Sequence, residues 1–395
     1  MVYIRNISLK YFFTNSLFFG IMEHEKQYME EKTMKKIAIM LVLALVLGLF
    51  AGCAGNIVVV GDCTCPTGGH TNNPAPQPTN PKPTDPKPTQ PAPEGALKTG
   101  LAIVTSVAKS ENAKVADYDV TLVAVLVDDN GVIRDCIIDS IGAKVEFDAT
   151  GTITSDINAE VKTKNELGDA YGMVAWGGAI AEWYQQADAL AQFAIGKTVS
   201  ELKNGAIDET GKAPAGSDLA SSATIYLGGY VSAVEEAVKN AQHLGAQGGD
   251  ELRLAAIPSL KSSVSATTEK AGTAQLDCDV TALTVKVGII TSCYIDSLQA
   301  KVSFGTDGVI TTDISAPVAT KNQLGEKYGM VAWGGAIAEW NVQAASFASY
   351  VTGKTAAQVA GIAVNEGTKP TGADLATSVT IAIGGFQALI AKALA

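Results

Sequence analysis

Two stretches of the chain alternate apolar with polar residues, and each gives way to apolar residues spaced three or four apart. Residues 119–127 read Asp-Val-Thr-Leu-Val-Ala-Val-Leu-Val, β-branched and apolar. Asp128-Asp129-Asn130-Gly131 is a strong turn signal, and residues 132–138 resume the strand pattern, which predicts a hairpin. The matching turn in the second stretch reads as three residues shorter, ending at Gly288. Residues 145–147 and 152–155, around Gly151, suggest a second hairpin. Helical spacing follows: Ile180, Trp183, Ala187, Leu190 and Phe193, then Ile337, Trp340, Ala344, Phe347 and Tyr350, form one apolar face each. A last helix is expected over residues 230–241, and another from Phe386 onward. The predicted class is α+β: two tandem copies of a small domain of antiparallel sheet plus helices.

The duplication is explicit. Tyr171-Gly-Met-Val-Ala-Trp-Gly-Gly-Ala-Ile-Ala-Glu-Trp183 recurs unchanged from Tyr328 to Trp340, an offset of 157 residues. The same offset carries Cys136 to Cys293, Asp139-Ser140 to Asp296-Ser297, Thr163-Lys164-Asn165 to Thr320-Lys321-Asn322, and Gly196-Lys197-Thr198 to Gly353-Lys354-Thr355. A period this long means duplicated domains, not a solenoid. The repeats are expected over 96–243 and 256–395. All four tryptophans fall in the identical block.

The N-terminal quarter reads differently. Met34-Lys35-Lys36 opens a basic segment, and residues 37–50 are an apolar run too short to span a bilayer, as in a signal peptide. Ala51-Gly52-Cys53 resembles the box read by lipoprotein signal peptidase, so Cys53 is the expected lipidated residue. Residues 34–52 would then be the signal peptide. Residues 1–33 would be a leader upstream of the true start at Met34, with a ribosome-binding sequence encoded around 29–33. Ten of the chain's 14 prolines lie in residues 66–93. Residues 53–95 therefore read as the lipid anchor and a Pro/Thr-rich stalk that cannot bury apolar area and favours extended polyproline II. The expected location is the extracytoplasmic face of the cell membrane, held by a lipid anchor.

Net charge is −11 and the pI near 4.9. No cluster of Lys and Arg is present, which excludes a nucleic-acid binder. The only histidines are His24, His70 and His243, none at matching repeat positions, which removes the commonest general base and metal ligand. No Ser/His/Asp arrangement, phosphate loop or zinc spacing appears.

Candidate chemistry sits before each last helix. Asp218-Leu-Ala-Ser-Ser-Ala-Thr224-Ile-Tyr-Leu-Gly-Gly-Tyr230 matches Asp374-Leu-Ala-Thr-Ser-Val-Thr380-Ile-Ala-Ile-Gly-Gly-Phe386. These runs resemble the FMN-binding domain family, whose hallmark is Asp-x-x-(Ser/Thr)-Gly-Ala-Thr ahead of an Ala/Val-rich helix, and which includes extracellular electron-transfer flavin lipoproteins. The resemblance implies that a flavin transferase esterifies Thr224 and Thr380 to the FMN phosphate. Asp218, Ser221 and Ala223, and Asp374 and Thr377, complete the motif. The motif Gly is Ser222 in one copy and Ser378 in the other, and its Ala is Val379 in the second. A phosphate there would face helix N–H groups and the positive end of the dipole. Trp176, Trp183, Trp333 and Trp340 could stack on the isoalloxazine ring. The implied role is a relay passing electrons outward from a membrane reductase or quinol, not an enzyme with its own substrate.

The residues allow plainer readings. Asp218 and Asp374 also suit helix N-caps, and the tryptophan block suits core packing around a Gly-Gly turn. Glu182 and Glu339, with Asp139 and Asp296 at a strand end, read as solvated acids before they read as acid/base pairs. Cys136 and Cys293 read as small buried residues, and Cys278 is aligned with Tyr118. Cys63 and Cys65 are assigned no function. The alternative function is a cell-surface binding module without cofactor, using the repeated Trp-rich faces.

Overall fold

The computed structural model describes residues 95–395. The expected leader, signal peptide and lipidation site Cys53, with Cys63, Cys65 and nearly all the expected stalk, lie outside the described residues. Each repeat is an antiparallel three-stranded meander with helices on one face, so the α+β class and the tandem organisation hold. Repeat 1 holds β1 (Lys98–Ser106), β2 (Val115–Val127) and β3 (Ile133–Glu146). Six helices follow: α1 (Lys164–Leu167), α2 (Met173–Gly177), α3 (Trp183–Ala194), α4 (Val199–Ala206), α5 (Asp218–Ser222) and α6 (Gly228–Lys239). Repeat 2 holds β4 (Glu251–Ser259), β5 (Gly272–Lys286) and β6 (Ile289–Phe304). Its helices are α7 (Lys321–Leu324), α8 (Met330–Gly334), α9 (Trp340–Val351), α10 (Ala356–Ala360), α11 (Ala373–Ala376) and α12 (Gly384–Ala393). β4 begins ahead of residue 256, where the sequence repeat becomes visible.

The central strands explain why the pattern is not purely alternating. In β2 the even positions 116–126 join a core shared with the other repeat, while Val123, Val125 and Val127 face the repeat's own helices. Residues 122–127 are consequently buried on both sides, and read as a continuous apolar run. The shared core lies between the two sheets and contains a stack of Phe147 on its repeat counterpart Phe304, with ring centroids 4.0 Å apart. The loops at its edge exchange reciprocal bonds. The Ala113 amide donates to the Gly308 carbonyl and the Ala266 amide to the Gly151 carbonyl, each at 2.8 Å. The Ile153 amide donates to Ser265 Oγ and the Ile310 amide to Asn112 Oδ1, each at 2.9 Å. Neither repeat covers its inner sheet face alone, so the pair is one folding unit.

Register corrects three expectations. Val127 pairs with Ile133 and Val285 with Ile290, so five residues intervene in the first repeat and four in the second, of which Lys286 and Ile289 still pair, a difference of one residue instead of three. Val120 pairs with Ile141, and Cys278 with Leu298, the counterpart of Ile141. Cys278 therefore matches Val120, and Tyr118 matches Leu276. The second hairpin around Gly151 reduces to a single bridge, Phe147 to Ile153, because the chain turns at once on Asp148. Cys136, Cys278 and Cys293 are buried free thiols in three different cores, as small apolar residues would be.

Candidate functional site

Each repeat builds the same assembly at the start of a 12-residue helix, α3 in the first and α9 in the second. α3 starts at Trp183, not Ile180: Glu182 is its extended N-cap, and Ile180 is exposed on the preceding turn. Glu182 is buried instead of solvated. Its carboxylate accepts from the Met173 amide (2.8 Å) and the Val174 amide (2.9 Å), which are the unpaired donors at the start of α2. Glu339 does the same for Met330 and Val331. The acid in the repeated block thus fixes the turn that precedes it.

One turn along α3, Gln186 is fully buried. Its Oε1 accepts from the Thr224 amide (2.8 Å), Thr224 Oγ1 (3.3 Å) and the Ile225 amide (3.2 Å), while its Nε2 donates to the Ala181 carbonyl (2.8 Å). Gln343 makes the same set with Thr380, Ile381 and Ala338. Thr224 is exposed and Thr380 half-buried, so each hydroxyl reaches the surface on a turn held from beneath. These glutamines escaped the sequence reading. The available signal was an amide at the same offset in both copies, among positions that otherwise face the core.

The rest of the motif is local structure. Ser217, not Asp218, caps α5, and Gly372 precedes α11, so Asp218 and Asp374 stand in first turns. Ser221 Oγ donates to the Asp218 carbonyl at 2.6 Å, and Thr377 Oγ1 to the Asp374 carbonyl at 3.5 Å. Ala223 and Val379 fill the cores. Ser222 and Ser378 are absent from the described residues with left-handed backbone, so a side chain where the motif has Gly brings no strain.

The four tryptophans divide. Trp183 and Trp340 are 3% and 6% exposed, core residues packed edge-on against Tyr230 and Phe386, so they cannot stack on a ligand ring. Trp176 and Trp333 are each 90% exposed. Their rings lean on Gly172 and Gly329, whose φ values are 79° and 81° and where an added Cβ would meet the indole at 2.2 Å. Tyr171, Val174 and Ile180, and in the second copy Val331 and Ile337, extend this exposed apolar surface.

Asp139 and Asp296 lie within β3 and β6, not at strand ends, and are buried. Asp139 Oδ1 accepts from the Ser140 amide (2.7 Å) and the Asn165 amide (3.0 Å), joining the sheet to α1; Asp296 does so with Ser297 and Asn322. Burial pushes both carboxyls up to about 6, against hydrogen bonds that favour the charged form. Thr163 and Thr320 cap α1 and α7 beside them, which accounts for the repeated Thr-Lys-Asn. Among the described residues no cluster of His, Cys, Asp and Glu could hold a metal, and no helix is long and apolar enough to cross a membrane. No protein-family model, curated protein or solved structure matches the chain.

Proposed function

We propose that each repeat carries FMN as a phosphoester, on Thr224 in the first and Thr380 in the second, and that Cys53 tethers the pair outside the membrane as an electron relay. The observation that carries this reading is the twofold occurrence of a surface hydroxyl held by a buried glutamine, through Gln186 and Gln343. A purely structural turn needs the backbone bonds but gives no reason to hold a threonine hydroxyl at the surface in both copies. The residues fit the group in two further respects. Serine at the motif glycine is unstrained, and Trp176 and Trp333 are free to meet an aromatic ring. The flavin would supply reversible one- and two-electron transfer; the protein would hold its phosphate and set its reach. A flavin transferase and a membrane reductase are the partners this requires. The test is intact mass and visible absorbance of the chain made in its native host. FMN mass lost on combined Thr224→Ala and Thr380→Ala supports the reading, and unmodified, colourless protein rejects it.

A second reading rests on the two 90%-exposed tryptophans: a cofactor-free module that grips a ligand with the Trp176 and Trp333 surfaces. Solvated indoles of this size are uncommon without a partner. It is favoured if the protein is colourless and Trp176→Ala with Trp333→Ala abolishes attachment to purified cell walls.

A further inference from the structure

Repeat 2 carries an open groove of about 1140 Å³ between β6, the outward side of α9, and the segment 242–244 that joins the repeats. That segment is fixed. Gln242 exchanges backbone bonds with Thr99 on β1, and His243 Nε2 lies 3.0 Å from Asp129 Oδ1. The groove adjoins α11 through Leu375 and the turn after it through Ser378, but Thr380 and Gln343 do not line it.

Its lining has a distinct chemistry. No Asp, Glu, Lys or Arg is among the lining residues, and His243 on the joining segment has its Nε2 on Asp129. The groove therefore offers no counter-charge to a phosphate, carboxylate or ammonium group. It offers hydroxyls and amides instead, from Tyr294, Asn341, Ser346 and Ser349. Asn341 Oδ1 is buried and accepts no hydrogen bond. An acceptor left unmet carries a cost that a donor brought by a ligand would remove. Tyr294 adds an amphipathic ring whose hydroxyl lies 3.4 Å from Gln242 Nε2 and also meets the Asn322 side chain.

The first repeat does not reproduce this chemistry. At the offset of 157 residues Tyr294 corresponds to Ile137, Asn341 to Tyr184, Ala345 to Asp188 and Ser346 to Ala189. Tyr184 spends its hydroxyl on Asp169 at 3.2 Å. The polar, uncharged lining belongs to repeat 2 alone.

We propose that this groove binds a neutral saccharide. Such a ligand alternates hydroxyl donors, which suit Asn341 Oδ1 and the serines, with apolar ring faces, which suit the tyrosine. The proposal does not depend on flavin attachment. It is tested on the full chain by saturation-transfer difference NMR with cellobiose, maltose and diacetylchitobiose as neutral probes, and glucuronate and glucosamine as charged ones. At least one neutral probe is expected to bind with Kd on the order of 1 mM, and neither charged probe. Asn341→Tyr, which installs the residue repeat 1 carries, is expected to weaken binding roughly tenfold or more. Ala345→Asp, at an exposed helix position where folding is not at issue, is expected to weaken it too. Tyr184→Asn is expected to change nothing. Absence of binding by all three neutral probes, equal binding of the charged ones, or binding unaltered in both Asn341→Tyr and Ala345→Asp would overturn it.

Discussion

The two repeats keep one face alike and let the other diverge. On the alike side stand the Glu182 and Glu339 clamps, the Gln186 and Gln343 amides beneath Thr224 and Thr380, and the exposed Trp176 and Trp333, with distances agreeing to about 0.1 Å. On the other side of α3 and α9, Tyr184 and Asp188 face Asn341 and Ala345 across the duplication. Packing alone does not demand the first pattern, since these same cores differ at matched positions, Leu190 against Phe347 and Tyr230 against Phe386. The difference teaches that the threonine turn and its tryptophan knob are a shared device, whereas the outward face of α9 has become particular to repeat 2.

The comparison breaks most visibly if the repeats are separable. Phe304→Ala removes a fully buried ring from the shared core and is expected to cost about 3–5 kcal/mol. Both repeats should still unfold in one transition by near-UV and far-UV circular dichroism in urea. Two resolved transitions would mean that each repeat folds alone.

A smaller effect sharpens the symmetry. Gln186→Ala and Gln343→Ala each strand two backbone amides and a carbonyl, at roughly 3 kcal/mol. Denaturant midpoints should fall alike in the two variants, and a cost confined to one repeat would refute a common device.

Next come the buried carboxyls. Asp139 and Asp296 rise in the folded state from the ordinary 3.8 to about 6. Between about pH 4 and 6 the folded chain then holds more protons than the unfolded chain, so stability falls as pH rises through this window. The loss is on the order of 3 kcal/mol per carboxyl and is complete above about pH 7. Asp139→Asn keeps the Oδ1 acceptor and should flatten half of the slope, with Asp296→Asn flattening the rest. Stability that rises from pH 4 to 6 at the same steepness would contradict the assignment.

The smallest effect is confined to repeat 2. Its tight turn holds Val287 at φ 50° and Gly288 at φ 74°, both left-handed as a type I′ turn requires, although Val287 is β-branched and exposed. Val287→Asn is expected to stabilise the protein by about 1 kcal/mol in thermal unfolding.

Much of this arrangement was legible in the chain. The repeat, the α+β class, the hairpin at Asp128 and the last helices follow from turn residues and periodicity, which are local signals. What escaped was set by distant partners. Ile180 fits the helical spacing, but Glu182 ends the run by capping α3 and turning to the α2 amides. Trp183 and Trp176 are alike in composition and opposite in fate, because only Trp183 meets Tyr230 from the last helix. Gln186 looked like an ordinary helix residue, since the turn it holds lies 38 residues further on. Cys278 was misaligned because a one-residue loop difference is invisible until Val285 is seen to pair with Ile290.

The most direct test of the central proposal is the intact mass of the chain from its native host, with Thr224→Ala and Thr380→Ala singly and together. The account expects two FMN additions in the unaltered protein, one in either single variant and none in the double variant, with the yellow absorbance falling in step. A colourless protein without added mass, or FMN mass that survives in the double variant, would contradict it.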